Sequence, residues 1–407
     1  MSQVINTNVM SLNAQRNLNN SQSALAQSLE RLSSGLRINS AKDDAAGLAI
    51  SERFTTQING LNQAVRNSND GISLAQTAEG ALNTVSDSLQ RARELAVQAA
   101  NDSNSASDRQ ALNDEVQQLM DEVGRIANNT EFNGQNILDG SAADLFFQVG
   151  ANQGQMVSVS NVDARTTQLG AQEVAGDNAV KASDVEGFAG HIQIEIDSVA
   201  ISTFASDIDG IDAAGIDISG AETFDDVVRT INAAISQVAR LDDDNADKFR
   251  DAGLDASIRV NDQGETTVSI TAAFDTDGFE VSGGTVTDGD GNPTMFDSAV
   301  KEHISLTDIS VTSRENATKA IGALDGALAQ VSSLRSELGA VQTRFESTIS
   351  NLEIGAENLS DARSRIMDAD FAAETADLTR AQVLQQAGIS VLSQANAVPQ
   401  NVLGLLQ

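Results

Sequence analysis

Residues 321–366 read IGALDGALAQVSSLRSELGAVQTRFESTISNLEIGAENLSDARSRI and carry an unbroken heptad of apolar residues. The members of this row follow one another at intervals of seven: Leu324, Val331, Leu338, Phe345, Leu352, Leu359 and Ile366. A heptad sustained over this length is typical of a coiled-coil seam. A helix from about residue 318 to 366 would be roughly 70 Å long at 1.5 Å per residue. Because this exceeds the diameter of a small domain, the helix needs a partner of similar length.

The partner helix is expected near the other end of the chain, in residues 41–100. Apolar residues recur there at helical spacing, and the Ser–x–x–acid pattern from Ser40 to Asp43 predicts a capping box at its start. A third helix is predicted over about residues 108–128. Because the two long helices lie far apart in sequence, the chain ends must come together and the middle must loop out.

The two ends of the chain are amphipathic tails that are nearly uncharged. Apolar residues of the N-terminal tail recur at steps of four, three and four, namely Leu25, Leu29, Leu32 and Leu36. Arg16 is the only charged residue before Glu30, and Arg380 is the only one after Asp377. A lone helix of this kind is marginal in water, because packing provides most of its stability. The tails therefore either pack on the body of their own chain or order only on self-association, and their lack of charge favours self-association.

Composition excludes several classes of function and of partner. The 407 residues, enough for about two to three domains, include 25 Lys and Arg against 58 Asp and Glu, a net charge of −33. Nucleic acids and anionic membranes demand clustered basic residues, so neither is expected as a partner. The absence of Cys excludes disulfides and thiolate chemistry. The start lacks a secretion signal and no apolar window could cross a membrane, so we expect a soluble chain, cytoplasmic or exported without a cleaved signal.

Residues 171–310 differ from both ends in charge and in pattern. They carry 29 acidic and 7 basic residues, a net charge of −22. The alternation of Ile192, Ile194 and Ile196 predicts a strand, and the apolar spacing from Phe224 to Leu241 predicts a helix. This segment is therefore interpreted as an inserted α+β domain.

Short β-hairpins are predicted between the N-terminal helices and this insertion. The first surrounds the Asn–Gly turn at residues 133–134, and the second joins strands near 145–149 and 156–159. The fold class is thus mostly α with an inserted α+β domain. Its parts are long antiparallel coiled-coil helices from both chain ends, short β-hairpins and an outward middle domain.

Motifs of enzyme chemistry are missing from the sequence. Neither His191 nor His303 lies in an H-E-x-x-H motif, and no phosphate-binding loop ending in Gly–Lys–Ser/Thr occurs. The run from Asp288 to Asn292 begins like a calcium loop, but Pro293 and Ala299 stand where such a loop needs Gly and Glu. A solvated acidic surface is the preferred interpretation, so no catalytic residue, metal or cofactor is predicted.

Both ends of the chain resemble the bacterial flagellin family. The N-terminal match is carried by MSQVINTNVMSLNAQRNLNNSQSALAQSLERLSSGLRINSAKDDAAGLAIS, and the C-terminal match by DADFAAETADLTRAQVLQQAGISVLSQANAVPQNVLGLLQ. The resemblance extends over about residues 1–170 and 311–407 and says little about the middle. Gln407 departs from the basic ending that is common in this family.

The resemblance implies a structural subunit that polymerises with itself into the flagellar filament for motility. It implies that the chain is exported unfolded and added at the distal tip, where coiled-coil packing of both ends assembles it. Five segments follow: tail helices of the inner filament core at 1–39 and 367–407, the two halves of a helical core domain at 40–170 and 311–366, and a variable surface-exposed domain at 171–310.

The implied partners are a flagellar export chaperone, the filament cap, the hook–filament junction proteins and a host Toll-like innate receptor. The implied location is extracellular, in the flagellar filament. The stretch from Leu89 to Gln98 resembles the one that such a receptor reads in many flagellins. By that match the expected contacts are Gln90, Arg91, Leu95 and Glu115.

Three other functions are compatible with parts of the pattern. A hook–filament junction protein shares parts of these ends, although the length and continuity of both matches favour the main filament subunit. An enzyme displayed on a filament through its middle domain would need a site that the sequence does not show. Adhesion by the middle domain is not decided by any sequence feature.

Overall fold

The computed structural model describes residues 8–208, 210–274, 276–288, 293–297 and 301–405. These residues form two compact units. The first unit takes its described residues from 1–69, 148–157 and 346–407, and the second from 70–147 and 158–345.

Seven α-helices are formed in the described part of the chain. They are α1 (Val9–Ser34), α2 (Ala45–Ala99), α3 (Ala106–Asn129), α4 (Phe224–Val238), α5 (Asp244–Asp251), α6 (Arg314–Met367) and α7 (Phe371–Leu405). The capping box expected at Ser40 and Asp43 instead closes a turn, because both Ser40 groups donate to the Asp43 carboxylate. The helix α2 begins at Ala45, and just before it the Asp44 carboxylate accepts from the Gly47 backbone N–H.

The long helices α2 and α6 run antiparallel, as expected. In the first unit, Arg363 donates to the Thr55 hydroxyl at 3.3 Å. In the second unit, Gln342 donates to the Glu79 carboxylate at 2.8 Å, and Arg93 pairs with Asp325. Residue numbers along α6 therefore fall as those along α2 rise in the second unit. The first unit shows the same direction, because a Cβ on Gly355 would lie 3.7 Å from Leu61.

Fourteen short strands complete the described chain. Before the middle segment they are β1 (Glu131–Phe132), β2 (Gln135–Asn136), β3 (Leu145–Gln148) and β4 (Met156–Val159). The others are β5 (Gly170–Ala175), β6 (Val185–Ile196), β7 (Val199–Ala200), β8 (Ile211–Asp212), β9 (Gly215–Asp217), β10 (Asp255–Val260), β11 (Thr266–Ala273), β12 (Glu280–Asp288), β13 (Thr294–Phe296) and β14 (Lys301–Ser305). Both predicted hairpins form, as β1–β2 and β3–β4. Asn133 and Gly134 adopt positive φ angles of 52° and 78°, as a tight Asn–Gly turn requires.

The middle segment contains two antiparallel sheets in the second unit. One has the strand order β10–β11–β5–β14, and the other has the order β13–β12–β6–β9–β8 with β7 added to β6. The expected strand at Ile192 to Ile196 lies in β6 with all three isoleucines buried, and α4 buries Phe224 and Ile231 in the same core. The first and last strands of the segment pair directly, with Gly170 opposite Ser305. The domain boundaries at 171 and 310 remain a prediction.

Candidate assembly interface

The helices α1 and α7 pack against each other in the first unit, as an antiparallel pair that we call the tail pair. Near one end, the Asn8 side chain donates to the Ala395 carbonyl at 2.8 Å. Near the other end, Arg31 approaches Glu374 at 3.7 Å. Each tail thus finds a partner within its own chain, as in the first of the two sequence-based alternatives, although the partner is the other tail and not the body of the chain.

Small and polar residues form the inner seam of the tail pair. Among the side chains of the two helices whose burial is described, the buried ones are Ala14, Ser28, Glu374, Ala381 and Ala395. On α1 they alternate with the half-buried Leu18, Leu25 and Leu32 in heptad spacing. The seam therefore buries little large apolar surface, because most of its fully buried positions carry only a methyl or hydroxymethyl group.

Large apolar side chains lie instead on the outside of the tail pair. Of fourteen large hydrophobic residues that are exposed in the described chain, nine lie on these two helices, each at least 49% exposed. We call this set the outer apolar surface: Val9, Met10, Leu12, Leu29, Phe371, Val383, Leu384, Ile389 and Val391. Exposed apolar patches of this kind mark surfaces that bind another protein or a membrane.

The charge of the tail pair suits close contact between copies of one chain. Between Arg16 and Glu30 and beyond Arg380, no acidic or basic residue occurs. Identical helices can therefore approach along most of their length without like-charge repulsion or unpaired buried charges.

The predicted coiled-coil residues are unequally covered within the chain. Four members of the C-terminal row are at most 2% exposed: Leu324, Val331, Leu338 and Phe345. The other three, Leu352, Leu359 and Ile366, are half-buried. In the N-terminal row, Leu25, Leu32 and Leu36 are half-buried, whereas Leu29 is 49% exposed.

Phe345 is the largest side chain of the predicted row and lies in a tight aromatic contact. Its ring meets that of Phe147 edge to face, with 5.6 Å between the centroids. Gly71 on α2 also lies against this ring, because a Cβ there would be 2.6 Å from the Phe345 Cζ. Sequence reasoning missed Gly71, although a glycine inside a helical pattern is a signal for close packing.

The four residues expected to contact an innate receptor do not share one surface. Gln90, Arg91 and Glu115 are exposed, and the Arg91 guanidinium donates to Glu115 at 2.9 Å and to Glu94 at 3.0 Å. These carboxylates, Glu115 first, raise the pKa of Arg91 above its usual value. Leu95 is 2% exposed, so a partner that approaches the folded helices cannot reach its side chain.

The described residues contain neither a cluster suited to a metal ion nor a helix suited to a membrane. No group of three or more His, Cys, Asp or Glu within them is arranged to hold a metal ion. The calcium-like run at 288–292 and Ala299 fall almost entirely outside the described part. Among the helices described, none is long and apolar enough to span a bilayer.

Comparison with known proteins identifies the family. A model of the bacterial flagellin N-terminal helical region matches residues 5–143, and one of the C-terminal helical region matches residues 321–406. Flagellin of Salmonella typhimurium is 38% identical, and the match covers all of both chains. Flagellin A of Vibrio cholerae is 40% identical over 99% of each chain.

A solved structure, that of FliC from Burkholderia pseudomallei, is 26% identical, with a TM-score of 0.36, and covers 67% of this chain and 99% of its own. The chain belongs to the bacterial flagellin family, and it is a structural subunit of the flagellar filament rather than an enzyme.

Proposed function

We propose that the chain polymerises by burying its outer apolar surface against other copies of itself. The observation that supports this is the inverted arrangement of the tail pair, with small residues inside and large apolar residues outside. Covering nine half-exposed apolar side chains contributes about 10 kcal/mol before the entropic cost of association. Each copy in a filament contacts several others, so the gain is repeated along the polymer.

The acidic middle segment is proposed to face water in the filament. With 29 acidic and 7 basic residues, the middle segments of neighbouring copies repel each other, which opposes their packing into the filament interior. The nearly uncharged tails would then occupy the inner core. Segments 40–170 and 311–366 would form the surrounding helical layer, and residues 171–310 would form the surface. These boundaries rest on the family resemblance and on the charge distribution.

The route to the filament is proposed to be export of the unfolded chain and addition at the distal tip, outside the cell. The chain has no Cys and two Pro, so neither disulfide formation nor many slow prolyl isomerisations delay its refolding. An export chaperone, the filament cap and the hook–filament junction proteins are the partners proposed for this route. Exposed tails are the natural target of a chaperone, because they would otherwise associate before export.

Limited proteolysis before and after seeded polymerisation tests the assembly proposal. We expect cleavage within roughly the first and last forty residues in monomers and protection of the same sites in filaments, because the tails become enclosed. Cleavage of the middle segment should proceed equally in both forms and is the internal control. Tails that are cut equally fast in both forms would contradict the proposal.

A second proposal concerns recognition by a host Toll-like receptor. Gln90, Arg91 and Glu115 are exposed, and the Arg91 guanidinium offers several donors in one plane, of which two bond to Glu115. Leu95 supports this surface from below as part of the helical core. The proposed contact surface is therefore polar, with Arg91 at its centre.

Arg91→Ala is expected to reduce receptor signalling by monomers about tenfold or more, because an Arg at the centre of an interface carries a large share of binding energy. The measurement is a reporter assay with cells that express the receptor, across a range of monomer concentrations. Arg229→Ala is the matched control, because Arg229 is also an exposed helical Arg paired with a nearby acid, Asp226. Equal signalling by both variants and the parent chain would remove Arg91 from the surface.

A further inference from the structure

A groove lies between the four-stranded sheet of the second unit and the helix α6, and it reaches the edge strand β10. We call it the sheet–helix groove. Its volume is about 580 Å³, and all of its lining residues belong to the second unit. On α6 the lining residues recur at helical spacing from Thr318 to Ser333, a distance of about 22 Å. The groove is therefore long enough for an extended segment of about six residues.

The lining of the sheet–helix groove is acidic. It includes Asp251, Asp255 and Asp325, whereas none of the described lining residues is Lys, Arg or His. Asp325 pairs with Arg93 on α2, but Asp251 and Asp255 form no ion pair with any residue in the described part of the chain. Burial, and then the nearby Asp325, raise the pKa of Asp255 above its usual value. A cation in the groove would stabilise the charged form of this carboxyl.

The strand β10 also has an open backbone edge, because it pairs with β11 on one side only. At Ala256 the N–H and the C=O both bond to the Asn232 side chain at 2.8 Å, so these groups point away from β11. Outward and inward residues alternate in an antiparallel pair, so the backbone groups of Ile258 and Val260 point outward too. They form no hydrogen bond with any described residue and are available to another strand.

The groove and the open edge meet at Ile258, which belongs to both. An open edge can bind any extended chain through its backbone, and the acidic lining selects a chain that carries Lys or Arg. A second copy of this protein does not fit, because two such edges would bring Asp251 and Asp255 of both copies together. The net charge of −22 on each middle segment adds to this repulsion.

We propose that an extended cationic peptide docks at this place, adding its backbone as a fifth strand beside β10 and its basic side chains to the sheet–helix groove. Side chains of an added strand alternate between the two sides of the sheet, so every second residue faces Asp255 and α6. The residues between them lie on the side where Ile258 packs against the apolar core, and apolar side chains suit that side. This inference goes beyond the proposed assembly function and does not depend on it.

Fluorescence anisotropy of a labelled six-residue peptide of alternating lysine and valine tests the docking on full-length monomers. We expect saturable binding at about 0.15 M salt, where long-range attraction to the acidic chain is screened. Asp255→Asn should weaken binding about three- to tenfold, with the fold verified by circular dichroism. Asp242→Asn is the matched control and should bind like the parent chain, because Asp242 is an exposed acid that does not line the groove. Equal binding by both variants would overturn the proposed site.

The same peptide with methylated backbone nitrogens separates strand addition from simple charge attraction. It keeps every side chain and every charge, but it cannot donate to the outward C=O groups of Ile258 and Val260. We expect it to bind the parent chain at least about tenfold more weakly, because several backbone hydrogen bonds are lost. Equal binding of the two peptides would overturn strand addition, and no saturable binding of the unmethylated peptide would overturn the docking site. Neither result would affect the assembly function.

Discussion

Ile389→Glu is expected to abolish filament formation while the monomer stays folded. Ile389 is 53% exposed on α7, so a Glu there is solvated in the monomer and makes no clash. In the filament the same carboxylate would be enclosed among apolar residues and uncharged amides, which costs several kcal/mol for each copy. A loss of only about 3 kcal/mol would already raise the concentration needed for polymerisation by more than about a hundredfold.

The measurement is sedimentation of filaments after seeding, over a range of subunit concentrations, with helix content followed by circular dichroism. Ile389→Leu is the matched control, since it keeps the apolar surface and should polymerise like the parent chain. Ile389→Gln separates charge from size and is expected to give an intermediate result. Normal polymerisation of the Glu variant would show that this side of α7 stays in water in the filament.

The sequence predicts the helices of the tail pair, but it does not predict which of their residues form the seam. The uncharged tails and their amphipathic spacing predict helices that associate, and the structure forms both helices. The sequence row through Leu25 and Leu29 favours the bulkiest residues as the seam. In the structure Leu25 is half-buried and Leu29 is 49% exposed, because the seam also runs through Ser21 and Ser28.

The reason for this difference is that two heptad rows overlap on α1. One row contains Leu18, Leu25 and Leu32, and a second row of small residues contains Ala14 and Ser28. Small residues allow two helix backbones to come close, and a hydrophobicity pattern gives them no weight. The pattern therefore identifies the helix but not the side on which it meets its partner.

The middle segment shows a different limit of sequence reasoning. The alternating isoleucines predicted the strand β6, and the apolar spacing from Phe224 onward predicted the helix α4. Both predictions succeeded because each pattern lies within one short stretch of sequence. The order of strands in the two sheets depends on pairings between distant residues, such as Gly170 with Ser305. No local pattern encodes such a pairing, so the sequence predicted the class of this domain and not its topology.

Phe345→Ala is expected to lower the free energy of unfolding of the second unit by about 3–5 kcal/mol. Phe345 is fully buried in the heptad row, and its removal leaves a cavity between Phe147 and α2. Gly71 cannot fill this cavity, because it has no side chain and its backbone is fixed within a helix. The cost therefore includes both the lost transfer free energy and the unfilled space.

Urea denaturation followed by circular dichroism measures this loss, and Phe146→Ala is the matched control. Phe146 neighbours Phe147 in the same strand but is 64% exposed, so its truncation should change the free energy of unfolding by less than about 0.5 kcal/mol. The contrast tests whether the predicted heptad row stabilises the chain through buried contacts. Equal effects of the two truncations would mean that the row does not form the seam, and the antiparallel helices would then owe their stability to other contacts.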